Sequence, residues 1–124
     1  MKQVLATEQA PAAIGPYSQG IAAGETVYVS GQLPLDPATG AFPEGIAAQT
    51  AQSLKNIQAI LAQQGMTLAN VVKTTVFLAD INDFVEMNKV YGEFFTQPYP
   101  ARSAVQVAKL PKDAPLEIEC IAVK

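Results

Sequence analysis

The chain has 124 residues, enough for one domain with a single hydrophobic core and too few for two. Only 15% of the residues are charged, against roughly 25% in an average soluble domain. Either further copies of the chain bury part of its surface, or alanine and glutamine replace charged residues on helix faces. The net charge of −3 provides no electrostatic basis for binding nucleic acid or an anionic membrane.

The chain contains no histidine and one cysteine, Cys120. These counts exclude Ser-His-Asp and Cys-His catalysis, histidine-bound zinc and an internal disulfide. The N-terminal residues lack the apolar core of a signal peptide, and no apolar stretch approaches the length of a membrane span. We therefore expect a cytoplasmic protein.

The first 45 residues of the chain are predicted to form strands and loops. Residues 2–6 form a short edge strand, and residues 18–31 form two strands joined by a turn at Gly24 and Glu25. Two segments rich in proline and glycine predict loops: residues 10–20 and 32–45.

The clearest helix covers residues 46–64 and ends at Gly65, because apolar side chains and one threonine recur there with helical spacing. Those positions are Thr50, Leu54, Ile57 and Leu61. Residues 70–80 are rich in β-branched side chains and predict a strand. Asp83 and Glu86 have the spacing of a capping box at the start of a second helix, which ends near Phe95.

Two further strands, residues 101–108 and 116–123, complete the order β-β-β-α-β-α-β-β. This order predicts an α+β fold, with a mixed or mostly antiparallel sheet and two helices packed on one face. We expect a single domain over residues 1–124. Several strands are apolar on both sides, so the uncovered sheet face needs a partner, which favours an oligomer.

Arg102 is the only arginine, and its strand alternates so that Arg102 and Ala104 share a face. The small residue leaves space in front of the guanidinium, whose planar fork matches a carboxylate. Arg102 is either such a carboxylate anchor or an exposed side chain at the start of a strand.

Glu117 and Glu119 share one face of the last strand, where two carboxylates repel each other. At least one of them therefore needs a compensating partner, and Arg102 lies on the preceding strand in sequence. One carboxylate could hold or deprotonate a water molecule in a protein without imidazole. The alternative is a solvated strand face.

Four further polar or small positions give weaker signals. Tyr17 lies in a glycine-bounded loop, Ser30 and Gly31 end a strand where a ligand could approach the backbone, and Asn88 lies on the second helix. Cys120 shares the apolar strand face with Leu116 and Ile118, which favours a packed structural thiol.

These segments together resemble the Rid family (YjgF/RidA, reactive intermediate deaminases). The resemblance extends over essentially the whole chain. Its most specific block is PARSAVQVAKLPK followed by EIE, and IGPYSQGI, VYVSGQLPLDPATG and VVKTTVFLADINDF support it.

The resemblance implies a chorismate-mutase-like fold and a homotrimer with clefts between adjacent subunits. It implies hydrolysis of 2-imino acids, such as 2-iminopropanoate and 2-iminobutanoate with their enamine tautomers, to 2-oxo acids and ammonia. This reaction protects pyridoxal-phosphate enzymes from damage and uses no cofactor and no metal. Arg102 would bind the substrate carboxylate and Glu117 would position the attacking water. Tyr17, Ser30, Gly31 and Asn88 would line the cleft.

One position departs from a common version of the motif. Many members carry cysteine two residues after the arginine, where this chain has Ala104. The family role of that position is assigned to its backbone, so we expect deaminase activity to persist without thiol chemistry there. The alternative function is a non-catalytic trimeric binder of small carboxylate metabolites with a regulatory role. RNA cleavage is disfavoured by the negative charge and the absence of histidine.

Overall fold

Six strands form a single sheet in the computed structural model, which describes all 124 residues. Their order across the sheet is β1-β2-β3-β6-β4-β5. Only β4 and β5 pair in parallel, and the other neighbours are antiparallel. The strands are β1 (Lys2–Leu5), β2 (Gly20–Ala23), β3 (Thr26–Gln32), β4 (Val71–Leu78), β5 (Ala101–Gln106) and β6 (Leu116–Val123). The predicted mixed sheet and element order are confirmed.

Two helices, α1 (Ile46–Ala62) and α2 (Phe84–Phe94), cover one face of this sheet. Alternate strand residues point toward them and are buried, because side-chain direction alternates along a strand. The fully buried strand and helix residues of this core include Val27, Val76, Leu78, Leu116, Ile118, Leu54, Ile57 and Leu61. Burial of each such side chain contributes about 1.5–3 kcal/mol. Neither helix is long and apolar enough to cross a membrane.

The other sheet face is open and partly apolar. Val4, Ile21, Tyr28 and Ile121 stand side by side across four strands on this face. Tyr28 is 50% exposed and Val4 is 61% exposed. This surface agrees with the expectation of an apolar face without a cover inside the chain, and burial against further copies stays a prediction.

The starts and ends of the helices agree with the sequence pattern except at α2. Gly65 has a φ of +69°, the left-handed conformation that ends α1 as predicted. The capping box at Asp83 is wrong, since the Asp83 side chain accepts no capping hydrogen bond. A 3₁₀ turn at Ile81–Asp83 precedes the helix, and the Asp80 carboxylate caps that turn by accepting from the Asn82 N–H at 2.9 Å.

A β-bulge interrupts the pairing of β3 with β6. Val29 lies opposite Cys120 and Gln32 lies opposite Ile118, so Ser30 and Gly31 together face one residue of β6. A bulge inserts an extra residue and turns the neighbouring side chains. It brings the backbone of Gly31 against the side chain of Glu117, where the candidate site is found.

Candidate active site

A groove of about 910 Å³ opens beside the bulge, and four of the predicted site residues line it. They are Tyr17, Ser30, Gly31 and Glu117. The Ser30 hydroxyl donates to the Ser18 carbonyl, and the Ser30 N–H donates to the Gln19 carbonyl. These two bonds tie the bulge to the loop that carries Tyr17.

The Glu117 carboxyl group lies directly over Gly31. A Cβ atom added to Gly31 would stand 2.7 Å from Glu117 Cδ and 2.9 Å from Oε2, closer than non-bonded atoms tolerate. Any side chain at this position would therefore displace the carboxyl group from its place against the Gly31 backbone.

Burial raises the pKa of Glu117 above its ordinary value, and the negative charge of Glu119 raises it further. Within the chain, the only ion pair joins Lys109 to Asp113, so no cation of the same chain compensates Glu117 or Glu119, and a compensating partner stays a prediction. A partly desolvated carboxylate with a raised pKa is a stronger base than an exposed one.

Two buried amides hold the loops that form the groove walls. Gln19 Nε2 donates to the carbonyls of Thr7 at 3.0 Å and Pro11 at 2.7 Å, and Gln19 Oε1 accepts from the Thr7 N–H at 2.7 Å. Asn56 Nδ2 on α1 donates to the carbonyls of Leu33 and Leu35. Neither residue is among those predicted from the sequence, although an asparagine between Leu54 and Ile57 on the apolar helix face is a signal of such a role.

The second group of predicted residues lies around Arg102. Arg102 Nη1 donates to Asn88 Oδ1 at 2.7 Å, so α2 and β5 meet at this hydrogen bond. The guanidinium carbon stands 4.7 Å from the Tyr91 ring centroid and 5.5 Å from that of Phe84. Ala104 follows on the same strand face and is partly buried. The two aromatic contacts were not foreseen from the sequence.

The two groups do not meet within one chain. Arg102 is opposite Thr74 of β4, which is buried under the helices, whereas Glu117 is opposite Phe77, whose side chain points to the other face. Strand β4 lies between β5 and β6. Although its strand precedes β6 in sequence, Arg102 does not neighbour the carboxylates of its own chain, because β6 pairs with β3 and β4 and leaves β5 at the sheet edge.

Cys120 lies on the helix-covered face and is 3% exposed. Burial, with a smaller contribution from Glu119, raises the pKa of its thiol to about 12. A thiol with this pKa carries almost no thiolate at neutral pH, and the thiolate is the nucleophilic form. The prediction of a structural thiol is confirmed by its burial in the core.

Comparisons with known proteins agree with this architecture. A family model described as Endoribonuclease L-PSP matches residues 7–124. A protein named 2-iminobutanoate/2-iminopropanoate deaminase from Salmonella typhimurium is 53% identical over all of this chain and 99% of its own length. A protein of the same name from Escherichia coli is 51% identical over all of this chain and 99% of its own length.

The fold is shared with solved structures. Escherichia coli TdcF, solved with bound serine, superposes with a TM-score of 0.94 at 47% identity, covering 98% of both chains. The YjgF gene product of Escherichia coli superposes with a TM-score of 0.94 at 51% identity, again over 98% of both chains. The chain belongs to the Endoribonuclease L-PSP family, which is the Rid family that its motifs resemble.

Proposed function

We propose that this protein is a deaminase that hydrolyses reactive 2-imino acids to 2-oxo acids and ammonia. The substrate class is 2-iminopropanoate and 2-iminobutanoate, with their enamine tautomers. The proposal is supported by full-length relatives of that name at 51% and 53% identity. By removing these imines, the protein would protect pyridoxal-phosphate enzymes from damage.

The observation that carries the proposal is the environment of Glu117. Its carboxyl group is half-buried against the bare backbone of Gly31, has a raised pKa and faces a groove with room for a small substrate and water. Such a group can act as a general base close to neutral pH. An imine carbon is already electrophilic, so this base and an anchor for the carboxylate suffice.

In the proposed reaction, the Arg102 guanidinium binds the substrate carboxylate and holds C2 in place. Glu117 removes a proton from a water molecule as the water oxygen bonds to C2, and the electron pair of the C=N bond moves to nitrogen. The nitrogen takes up a proton, giving a carbinolamine. The C–N bond then breaks as the carbinolamine hydroxyl loses its proton and the amine nitrogen takes one up, which releases ammonia and the 2-oxo acid. Glu117 can return the proton that it removed, so the carboxylate is regenerated.

The proposed site needs more than one copy of the chain. Tyr17, Ser30, Gly31 and Glu117 would come from one subunit of a homotrimer. Asn88, Arg102 and Ala104 would come from the neighbouring subunit and close the cleft. The open apolar sheet face is the surface that such an assembly would bury. In the related TdcF structure the bound molecule is serine, which carries a carboxylate as the proposed substrate does.

A coupled assay tests this function. Threonine dehydratase acting on threonine generates 2-iminobutanoate, and semicarbazide traps the free imine as an absorbing semicarbazone. Addition of this protein should lower the semicarbazone yield. An unchanged yield would contradict the deaminase assignment and favour a non-catalytic binder of small carboxylates.

A further inference from the structure

We propose that Tyr91 is a positioning residue that fixes the plane of the Arg102 guanidinium for recognition of the substrate carboxylate. This inference depends on the proposed function in which Arg102 anchors that carboxylate. Tyr91 acts through Arg102 and does not touch the reacting atoms.

Three side chains of α2 contact the guanidinium. The Tyr91 ring is the nearer of two aromatic rings, at 4.7 Å, and Phe84 contributes the other at 5.5 Å. Asn88 Oδ1 accepts one of the five guanidinium N–H groups at 2.7 Å. Aromatic faces attract a cation electrostatically, and the planar guanidinium stacks on them. The remaining N–H groups are left for a ligand.

Tyr91 is itself held in place. Its hydroxyl shares a 2.7 Å hydrogen bond with the hydroxyl of Thr74, which is fully buried. Its ring packs against Phe95 with centroids 4.6 Å apart. Thr74 is the register partner of Arg102 across β4 and β5. The Tyr91 hydroxyl therefore bonds Thr74 on β4, while the Tyr91 ring contacts Arg102, which lies beside Thr74 on β5.

This arrangement matters because recognition of a carboxylate by two parallel hydrogen bonds depends on the plane of the guanidinium. An unsupported arginine side chain populates many rotamers, and binding of a ligand costs conformational entropy because it restricts the side chain to one of them. A fixed ring beneath the guanidinium restricts them beforehand, which strengthens binding without a new contact to the ligand. The Tyr91 hydroxyl keeps the ring from turning away.

Arg102 is the only arginine, so its side-chain Nε–H gives a single arginine resonance by NMR. The Tyr91 ring current should move this resonance upfield in the wild type, and Tyr91→Leu should remove the larger part of the displacement, leaving the smaller contribution of Phe84. Phe94→Leu is the matched control, because Phe94 lies on the same helix against the core and has no stacking contact with Arg102. Phe94→Leu should leave the resonance in place.

Binding of 2-oxobutanoate, a product with the same carboxylate, provides the second readout. Tyr91→Leu should weaken it by about three- to thirtyfold, the range expected for loss of a cation–π contact. The KM for the imino acid should rise with kcat nearly unchanged, whereas mere loss of folded protein would lower kcat at constant KM. Tyr91→Phe keeps the ring and should weaken binding by about twofold or more through loss of the Thr74 contact.

An unmoved arginine resonance in Tyr91→Leu, or equal weakening in Tyr91→Leu and Phe94→Leu, would overturn the proposal. If Tyr91→Leu does not fold, Tyr91→Phe and Thr74→Val decide, since each removes the hydroxyl contact, and wild-type affinity in both would overturn it. A wild type that binds 2-oxobutanoate without hydrolysing imines would refute the deaminase function alone. Absence of 2-oxobutanoate binding in a wild type that hydrolyses imines would overturn Arg102 as the carboxylate anchor, and with it the role of Tyr91, while the deaminase function would stand.

Discussion

Arg102 and Glu117 lie on opposite faces of the same sheet, with strand β4 between the strands that carry them. A carboxylate held by Arg102 is thus screened from Glu117 of its own chain by a layer of backbone. If both residues act on one substrate, each must face the complementary residue of another copy. This relationship leads to the first prediction.

Subunits inactivated at different residues should restore each other. When Arg102→Lys and Glu117→Gln chains are unfolded together in equal amounts and refolded, about a quarter of the sites in a cyclic trimer should receive an intact arginine and an intact glutamate. At imine concentrations well below the wild-type KM, roughly a quarter of wild-type deaminase activity should return, while each variant refolded alone stays well below that level. Light scattering should give the mass of three chains. No recovery in a mixed trimer would mean that both residues act from one chain.

The same two substitutions should separate binding from turnover. Arg102→Lys keeps the charge but loses the planar fork and its stacking on Tyr91, so binding of 2-oxobutanoate should weaken by about ten- to a hundredfold. Glu117→Gln keeps the shape and removes the base, so binding should survive while kcat falls by about 10²–10⁴. Calorimetric titration and the semicarbazide assay measure the two effects. Wild-type affinity in Arg102→Lys, or wild-type kcat in Glu117→Gln, would remove the role assigned to that residue.

The pH dependence of kcat/KM should report Glu117 in the free enzyme. Its active form is the carboxylate, and burial and then Glu119 raise its pKa, so activity should fall with decreasing pH at values above the ordinary titration range of glutamate. Glu119→Gln removes one negative charge and should move this acidic limb to lower pH. Glu25→Gln, at an exposed turn distant from the groove, is the control and should leave the limb in place. If Glu119→Gln leaves the acidic limb at its wild-type pH, the assignment of that limb to Glu117 is contradicted.

The ionised Glu117 carboxylate should lower the stability of the folded protein, although the same ionised form supports activity. A raised pKa in the folded state means that the ionised Glu117 opposes folding at neutral pH, a penalty that disappears when the carboxyl group is protonated in both states. Glu117→Gln should therefore raise the melting temperature at pH 7, and the gain should vanish as the pH falls below the ordinary pKa of glutamate. Calorimetry across this range checks the trend. A lower melting temperature at pH 7 would show that the carboxylate has a stabilising partner.

Gly31→Ala should reduce turnover by displacing the Glu117 carboxyl group. The added methyl would stand 2.7 Å from Glu117 Cδ, so the carboxyl group would have to move away from the Gly31 backbone. Gly92→Ala is the matched control, because nothing lies within 4 Å of its added methyl, and alanine should stabilise α2 by roughly 1 kcal/mol. Deaminase rates and melting temperatures distinguish the variants. Unchanged kcat in Gly31→Ala would show that the exact position of the carboxyl group is unimportant.

Cys120→Ala should leave imine hydrolysis nearly unchanged and lower stability by roughly 1 kcal/mol, since the thiol is packed in the core. The wild-type thiol should react slowly with an aromatic disulfide reagent until the protein unfolds, because it is buried and its pKa is about 12. Loss of activity in a folded Cys120→Ala trimer would show that the chemistry has been assigned to the wrong residues.

Local patterns in the sequence determined much of this protein. Alternation placed Arg102 with Ala104 and Glu117 with Glu119, and Gly65 marked the end of α1, because side-chain direction and helix termination depend on residues close in the chain. The residues that carry the family resemblance were likewise readable without coordinates. The predicted cap of α2 at Asp83 is wrong because a 3₁₀ turn precedes the helix and Asp80 caps that turn instead. The D-x-x-E spacing does not reveal such a turn.

Only the tertiary structure decided how these local pieces face one another. Strand order follows from pairing between distant segments, and the insertion of β4 between β5 and β6 separates Arg102 from Glu117. The β3 bulge that brings Gly31 under Glu117, and the packing of α2 that brings Tyr91 under Arg102, are also long-range contacts. Sequence periodicity specifies which residues share a face of one element. It does not specify which other element that face meets, because the burial and hydrogen bonding of the whole sheet determine that choice.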